Sequence, residues 1–439
     1  MIQNARDALS RPDGFIGAVY ALEGIEDGAT ILNGPTGCKL FLSRTAEDQY
    51  RREFDYEEMR YAEEFFFQQP RVPCTYLDDY DFVFGASQKL EYVFAIVAEK
   101  GYRFIGVLNS PGAALIGDDL ERYIEWSGIE TPTMVIDKPD FTRNFEEGWT
   151  TAVKRVIATL DPTPVATKEK CVNLVGMSIW QKDWQESLKN LTALLAACGV
   201  TVHTTVCAGC SVEDLRNLRC AQCNVIVHDE LGHGIAEWLE ERYGMSLVRP
   251  SEGAPFGYDA LESWLGAATA AVAADPAAGI ELIRKSKARA CEKLMEFNLQ
   301  TGLPKGSTFA VCLEASLALP LVKWFHSYLG MVPVAVQVPD EAETLADTLK
   351  QYLQEIGSGG AWNADLDSAN PPHAVVSNDA VVMRMMSEKK VHAGIVLAMP
   401  DIDTTQFIPR SVLGTEGPLW VLEQLAAGLW TLVEPGPGG

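Results

Sequence analysis

The stretch CVNLVGMSIWQKDWQESLKNLTALLAACGVTVHTTV, Cys171–Val206, decides the fold. It opens on Cys171–Met177, a mostly apolar run of strand length that turns at Gly176. Asp183–Cys198 follows, with Trp184, Leu188, Leu191 and Leu195 at helical spacing. Thr201–Val206 is a second strand, rich in β-branched residues. Strand, helix and strand in so short a span form a βαβ unit with parallel strands.

The same rhythm continues on both sides. Downstream, Val212–Leu218 reads as a short helix, Asn224–Val227 as a strand and Ile235–Arg242 as a helix. Further on come the strand Ser307–Leu313, the helix Leu319–Leu329, the strand Val332–Val338 and the helix Glu341–Ile356. The strand Ala374–Val376 and a helix past Asp379 complete that block. Upstream, the apolar run Tyr102–Leu108 ends in Asn109-Ser110-Pro111-Gly112, and the acidic helical stretch Asp118–Trp126 follows. The pattern predicts an α/β protein of three Rossmann-like, doubly wound parallel-sheet domains, with functional groups at the carboxyl ends of strands. The expected domains are residues 1–165, 166–300 and 301–439. Asp161–Lys170 and Phe297–Gly306 read as linkers, and Leu261–Phe297 as one long helical segment. Glu434–Gly439 reads as a frayed tail.

A chain of 439 residues is too long for one ordinary core, which agrees with several domains. A net charge of −24 makes nucleic acid and anionic membrane poor partners. The first residues carry no apolar signal region, and Ala267–Ala274 is too short to cross a bilayer, so a cytoplasmic protein is expected. Ten cysteines in such a chain point to core thiols or metal ligands rather than to a disulfide framework.

Four features carry the candidate chemistry. Cys38 ends Asn33-Gly34-Pro35-Thr36-Gly37-Cys38, just after the apolar run Ala29–Leu32. Cys74 lies in Arg71-Val72-Pro73-Cys74-Thr75-Tyr76-Leu77, ahead of an apolar segment that closes on Gly85. Glycines such as Gly37 and Gly85 let backbone approach a bulky inorganic core, although either thiol alone also fits a small buried hydrophobe. Cys207 and Cys210, followed after nine residues by Cys220 and Cys223, form a CxxC…CxxC pattern that reads as a zinc or cluster site. Topology opposes one shared site. Cys207 follows a strand's carboxyl end and Cys223 opens the next strand, so the pairs fall on opposite sheet edges about 15 Å apart. His228, with His233 five residues on, occupies a strand-end loop, where it either serves a site or caps a helix. Glu314 and Ser377–Asp379 also follow strands, while Asp118 and Asp119 read as helix-start carboxylates. Cys171, Cys198, Cys291 and Cys312 read as core, and Trp180 and Trp184 as packing or partner-facing residues. Neither a GxxxxGK[ST] phosphate loop nor an opening GxGxxG is present, so ATP hydrolysis and nicotinamide binding lack support.

The elements Gly34–Cys38 (GPTGC), Pro73–Gly85 (PCTYLDDYDFVFG) and Asn109–Leu120 (NSPGAALIGDDL) occur in the order seen in the nitrogenase component 1 superfamily, which the chain resembles. Lys170–Trp184, Cys223–Gly244 and Gly414–Trp430 (GTEGPLWVLEQLAAGLW) extend the resemblance along most of the chain. The family takes in nitrogenase subunits, their cofactor-assembly homologues, protochlorophyllide and chlorophyllide reductases, and a nickel-sirohydrochlorin reductive cyclase. The resemblance implies an iron–sulfur cluster between two paired subunits, with Cys38 and Cys74 as ligands. The family's third cysteine falls at Pro111, which cannot ligate; Ser110 beside it is an auxiliary candidate. Two chains would then offer four thiolates, enough for one [4Fe–4S] cluster in a homodimer, or in a heterodimer with a homologous subunit. A separate ATP-dependent iron protein would supply electrons. Cys207 and Cys210 would face the substrate cavity as a second metal site, with His228 and His233 as catalytic residues there. His228 stands where nitrogenase has a cofactor-binding cysteine, so dinitrogen reduction is not expected. The implied function is reduction of an unidentified small molecule or tetrapyrrole. A metallocluster-assembly scaffold and a cluster-free binding protein are the alternatives.

Overall fold

The structure is a computed structural model that describes residues 12–50, 71–138, 144–339, 343–367, 371–399, 401 and 407–433. Among the described residues, eleven strands form three sheets, and every pairing between them is parallel. The first sheet has β1 (Gly28–Asn33), β2 (Phe104–Asn109) and β3 (Thr133–Ile136) in the order β1-β2-β3. The second has β4 (Cys171–Val175), β5 (Thr201–Thr205), β6 (Cys223–Ile226) and β7 (Ser246–Val248) in the order β5-β4-β6-β7. The third has β8 (Thr308–Cys312), β9 (Val332–Gln337), β10 (Ala374–Ser377) and β11 (Ala393–Val396) in the order β11-β10-β8-β9.

The strands β1, β2, β4, β6 and β10 are buried at every residue. Helices therefore cover both sheet faces, as parallel pairing demands. In the second sheet the chain leaves β4 for β5 on one side and returns past β4 to β6 on the other. The third sheet repeats this reversal around β8, between β9 and β10. Each reversal opens a crevice beyond the strands' carboxyl ends, and such crevices are where parallel sheets bind ligands.

Close backbone contacts join the first sheet to the second. The helices Gly14–Glu23 and Phe145–Leu160 cross so tightly that a Cβ on Gly148 would lie 1.9 Å from the Gly14 carbonyl oxygen. Just beyond, the Gly24 carbonyl accepts the N–H groups of Gly209 and Cys210 at 2.9 and 3.3 Å. A Cβ on Gly24 would meet the Cys207 carbonyl oxygen at 1.9 Å.

Several local expectations need correction. Leu261–Phe297 is two helices, Tyr258–Ala271 and Ala277–Thr301, broken before Pro276, whose missing N–H suits a helix start. The second helix runs on to Thr301 through much of the expected linker, and Gly302 ends it at φ +75°. Asp119 caps its helix, accepting the Arg122 N–H at 3.1 Å, but Asp118 turns away to accept the Ala86 N–H at 2.8 Å. Cys291 is exposed rather than core. Glu434–Gly439 lies outside the described residues. Among the described residues, no helix is long and apolar enough to cross a membrane.

Candidate functional site

The structure brings Cys38 and Cys74 together through a strand-like ladder. Leu32 donates its N–H to the Pro73 carbonyl at 2.8 Å, Thr75 to Leu32 at 3.1 Å, and Leu77 to Gly34 at 3.0 Å. This ladder lays Cys74 beside Leu32 at the edge of β1. Cys38 sits in the first turn of Thr36–Gln49, the helix that leaves β1. The Cys74 thiol donates to the Gly34 carbonyl at 3.0 Å and accepts the Tyr76 N–H at 3.4 Å. A polar ladder stiffens the turn: Gly34 N–H donates to Thr75 Oγ1 (3.0 Å), Thr75 to Asn33 Oδ1 (2.8 Å) and Asn33 to Asn109 Oδ1 (2.8 Å). Ser110 is buried behind Gly34, where any Cβ would come within 2.9 Å of its own. Its hydroxyl accepts the Ala113 N–H at 3.3 Å. Gly37 is exposed with open space around it, whereas Gly85, at φ +89°, lies against Asp118 and has no room for a side chain.

Burial pushes the Cys74 thiol up to about 11. Burial, and then the Asp13 carboxylate, raises Cys38. Both thiols therefore hold their protons until a metal displaces them. Among the described residues, no group of three or more His, Cys, Asp or Glu converges as a metal site. The pair is thus at most half of a four-thiolate set. The donor chemistry fits an iron–sulfur cluster: Cys74 hydrogen-bonds the Gly34 carbonyl of the turn that leads into Cys38, and the open backbone at Gly37 leaves space for an inorganic core. An apolar rim flanks the two cysteine segments along the chain. Phe41, one turn beyond Cys38, is exposed, as are Phe82, Val83, Phe84 and Leu115, the last at 87%. An apolar surface of this kind marks a contact with another macromolecule.

The second feature is a cavity of about 300 Å³ between the second and third sheets, closed on one side by Pro12 and the start of the helix Phe145–Leu160. The middle sheet contributes His228 and Glu230 from the end of β6, and Trp180 and Gln181 from the loop after β4. The third sheet contributes Cys312 and Glu314 after β8 and Asn378 after β10. Phe145 and Pro12 close the wall from the first domain. Both topological reversals therefore open into one space, and Cys312 belongs to its wall rather than to the core. Arg384 on this wall is held by Asp367 at 2.8 and 2.9 Å. His228 is buried with Nδ1 3.2 Å from Ser316 Oγ, and burial lowers it to about 4, so it is a neutral imidazole. Asp13, whose carboxylate acts on Cys38, is the chain neighbour of the wall residue Pro12.

The remaining candidates lie elsewhere. Cys207 and Cys210 are fully buried free thiols, hydrogen-bonded to each other and packed under Gly24, so they do not line the cavity that sequence reasoning gave them. The physical reason is the contact with the first domain, which covers this loop. Cys220 and Cys223 sit with Cys171 at the amino ends of β6 and β4, the opposite sheet edge. His233 faces outward between Glu237 and Arg249, each at 3.2 Å. Sequence reasoning missed Glu230, because a carboxylate at a helix start reads as a capping charge until the cavity beside it is seen.

Three parallel sheets, two of them opening onto one crevice, define a three-domain α/β protein of the kind that binds its ligand at strand ends. The family model for nitrogenase component 1 type oxidoreductases matches residues 14–429, and the chain belongs to that family. It is similar to a light-independent protochlorophyllide reductase subunit from Prosthecochloris aestuarii, at 27% identity over 37% of this chain and 30% of that protein. The corresponding protein of Roseiflexus sp. is 26% identical over 66% of this chain and 53% of its own length. The chain thus spans about half or less of these curated relatives. The solved structure of nitrogenase Cp1 at pH 6.5 aligns with a TM-score of 0.77 at 15% identity, covering 97% of this chain and 93% of that one, a likeness of fold.

Proposed function

We propose that this chain is the catalytic component of a nitrogenase-like reductase. Two copies, or one copy and a homologous subunit, join through the apolar rim. Cys38 and Cys74 of each then supply four thiolates to one [4Fe–4S] cluster, which when bound provides low-potential one-electron transfer. The electron source is a separate ATP-dependent iron protein, in keeping with a sequence that has no phosphate loop. The molecule reduced, a small unsaturated compound or a tetrapyrrole, occupies the cavity between the second and third sheets. There Phe145, Trp180 and Leu231 exclude water, while neutral His228 and Gln181 orient the ligand by hydrogen bonds. Cys207, Cys210 and His233 have no part in this reading, and neither does dinitrogen reduction.

The observation that carries the proposal is the adjacency of the two features. The Asp13 carboxylate acts electrostatically on Cys38, and its chain neighbour Pro12 is cavity wall. The helix Gly14–Glu23, which Asp13 caps, thus begins beside the cavity and within electrostatic range of Cys38.

The test is anaerobic iron and sulfide analysis with EPR of the reduced protein, beside a Cys38→Ser/Cys74→Ser variant. About four irons per pair of chains, lost in the variant, is the expected result. Iron that survives the double substitution overturns the ligand assignment. Iron released to an acceptor without turnover marks a cluster-assembly carrier instead, and iron-free protein after reconstitution marks a binding protein.

A further inference from the structure

The cavity wall holds a carboxyl group whose surroundings suit an acid rather than an anion. Glu230 lies two residues after His228, at the start of the helix Asp229–Tyr243. Its Oε1 accepts the backbone N–H of Ser316 at 2.7 Å. Its Oε2 is buried and makes no hydrogen bond with any described residue. The Ser316 hydroxyl contacts the same carboxyl and also stands 3.2 Å from His228 Nδ1. One serine thus joins the acid to the imidazole, from the first turn of the helix Ala315–Ser327 that follows β8.

The groups facing Glu230 do not supply a compensating cation. His228 is neutral, and Glu314 opposes ionisation. Across the cavity stand Glu146, Asp365, and Arg384, whose charge is shared with Asp367. On its own helix Asp229 is engaged by Arg249 at 2.6 and 2.7 Å. A carboxylate at a helix start is favoured by the helix dipole. Here burial outweighs that gain and pushes Glu230 up to about 7. A general acid is most effective when its proton is held near the working pH.

We propose that Glu230 is the proton donor of this cavity, with Ser316 as the positioning residue that holds its carboxyl beside His228. The inference rests on the reading of the cavity as a site of reduction. Reducing a double bond there consumes two electrons from the low-potential donor and two protons. Glu230 gives one proton from its carboxyl to the bound molecule and is left as carboxylate, which the Ser316 N–H and O–H stabilise until solvent reprotonates it. The second proton comes from solvent at the cavity mouth.

Two measurements test this. The first is infrared difference spectroscopy of wild type minus Glu230→Gln across pH, which needs no metal. A protonated-carboxyl band at pH 6 that disappears with a midpoint near 7 is expected, with the midpoint moved upward in Ser316→Ala, which loses the hydroxyl that favours the anion. A carboxyl already ionised at pH 6 overturns the proposal. The second uses acetylene as the probe with anaerobically reconstituted, reduced protein, following ethylene. Wild type should lose rate about tenfold per pH unit above 7, while Glu230→Gln should be slow and flat with pH. The same pH profile in both proteins overturns the proposal. Protein that takes up no iron fails the reductase reading instead, and the infrared titration then decides alone whether Glu230 holds a proton.

Discussion

Arg71→Met should loosen the Cys74 segment without touching a thiol. The Arg71 and Glu23 side chains are both 1% exposed, and Nε meets the Glu23 carboxylate at 2.7 Å. The guanidinium also donates to the carbonyls of Ala46 (3.0 Å), Glu23 (3.2 Å) and Tyr50, so it ties the start of the Cys74 strand to two helices. Methionine fills similar space but leaves Glu23 as a buried anion, a change that costs about 3–5 kcal/mol. Lys39 acts on Glu23 as well, which places the loss near the lower bound, about 3 kcal/mol. That is a fall in melting temperature of roughly 6–12 °C for the first domain. If labelling requires local opening, Cys74, fully buried in the native fold, should react over about a hundredfold faster with a thiol reagent, read by mass spectrometry. Arg71→Met/Glu23→Gln should recover most of the loss, because a buried pair replaced as a unit is nearly neutral. Unchanged Cys74 labelling with melting within about 2 °C of wild type would refute the reasoning.

Three further outcomes follow from the cavity and the domain contacts. His228 titrates at about 4 when folded against an ordinary 6.5, so the unfolded chain binds its proton first and stability falls as pH drops from 6.5 to 4. Glu230 behaves oppositely: the folded protein keeps a proton up to about 7 that the unfolded chain releases at 4.5, so stability falls as pH rises through that window. Each change amounts to about 3 kcal/mol over its whole window, and the two nearly cancel between pH 4.5 and 6.5. Urea midpoints should therefore rise with pH in Glu230→Gln and fall with pH in His228→Asn across that range; flat curves in both variants would sink the assignment. Gly24→Ala should separate the first two sheets, because its methyl meets the Cys207 carbonyl oxygen at 1.9 Å. A loss of at least 1–3 kcal/mol, with Cys207 becoming reactive to thiol reagents, is expected; wild-type melting would show that the junction can shift.

Much of the architecture was legible because buried parallel strands leave long apolar runs. Cys171–Val175 and Phe104–Asn109 were visible for that reason. The strand Thr133–Ile136 was not, since it is only half-buried and follows Thr131-Pro132; Ala393–Val396 is four residues long and carries a glycine. The Cys38 and Cys74 motifs were legible as thiols among glycine and proline, but the ladder that aligns them depends on pairing between distant segments. The separation of Cys207/Cys210 from Cys220/Cys223 followed from strand direction alone. That a neighbouring domain would cover the first pair did not, because nothing local to Cys207 encodes the approach of Gly24. Glu230 was hidden for the same reason: its neighbours Ser316 and Glu314 come from another sheet.

The meeting of two sheets, Pro12 and the helix Phe145–Leu160 at one cavity has a consequence for how this protein can change. No single sheet owns the ligand site, so a fragment carrying one or two of them inherits walls without a room. Recombination between relatives at a sheet boundary would exchange one wall and keep the others, altering ligand preference in steps of a whole surface rather than residue by residue. The Cys38–Cys74 turn, contained in the first domain, would pass through such exchanges intact. Under the proposed function, electron supply and ligand choice would be separately inheritable parts of one chain.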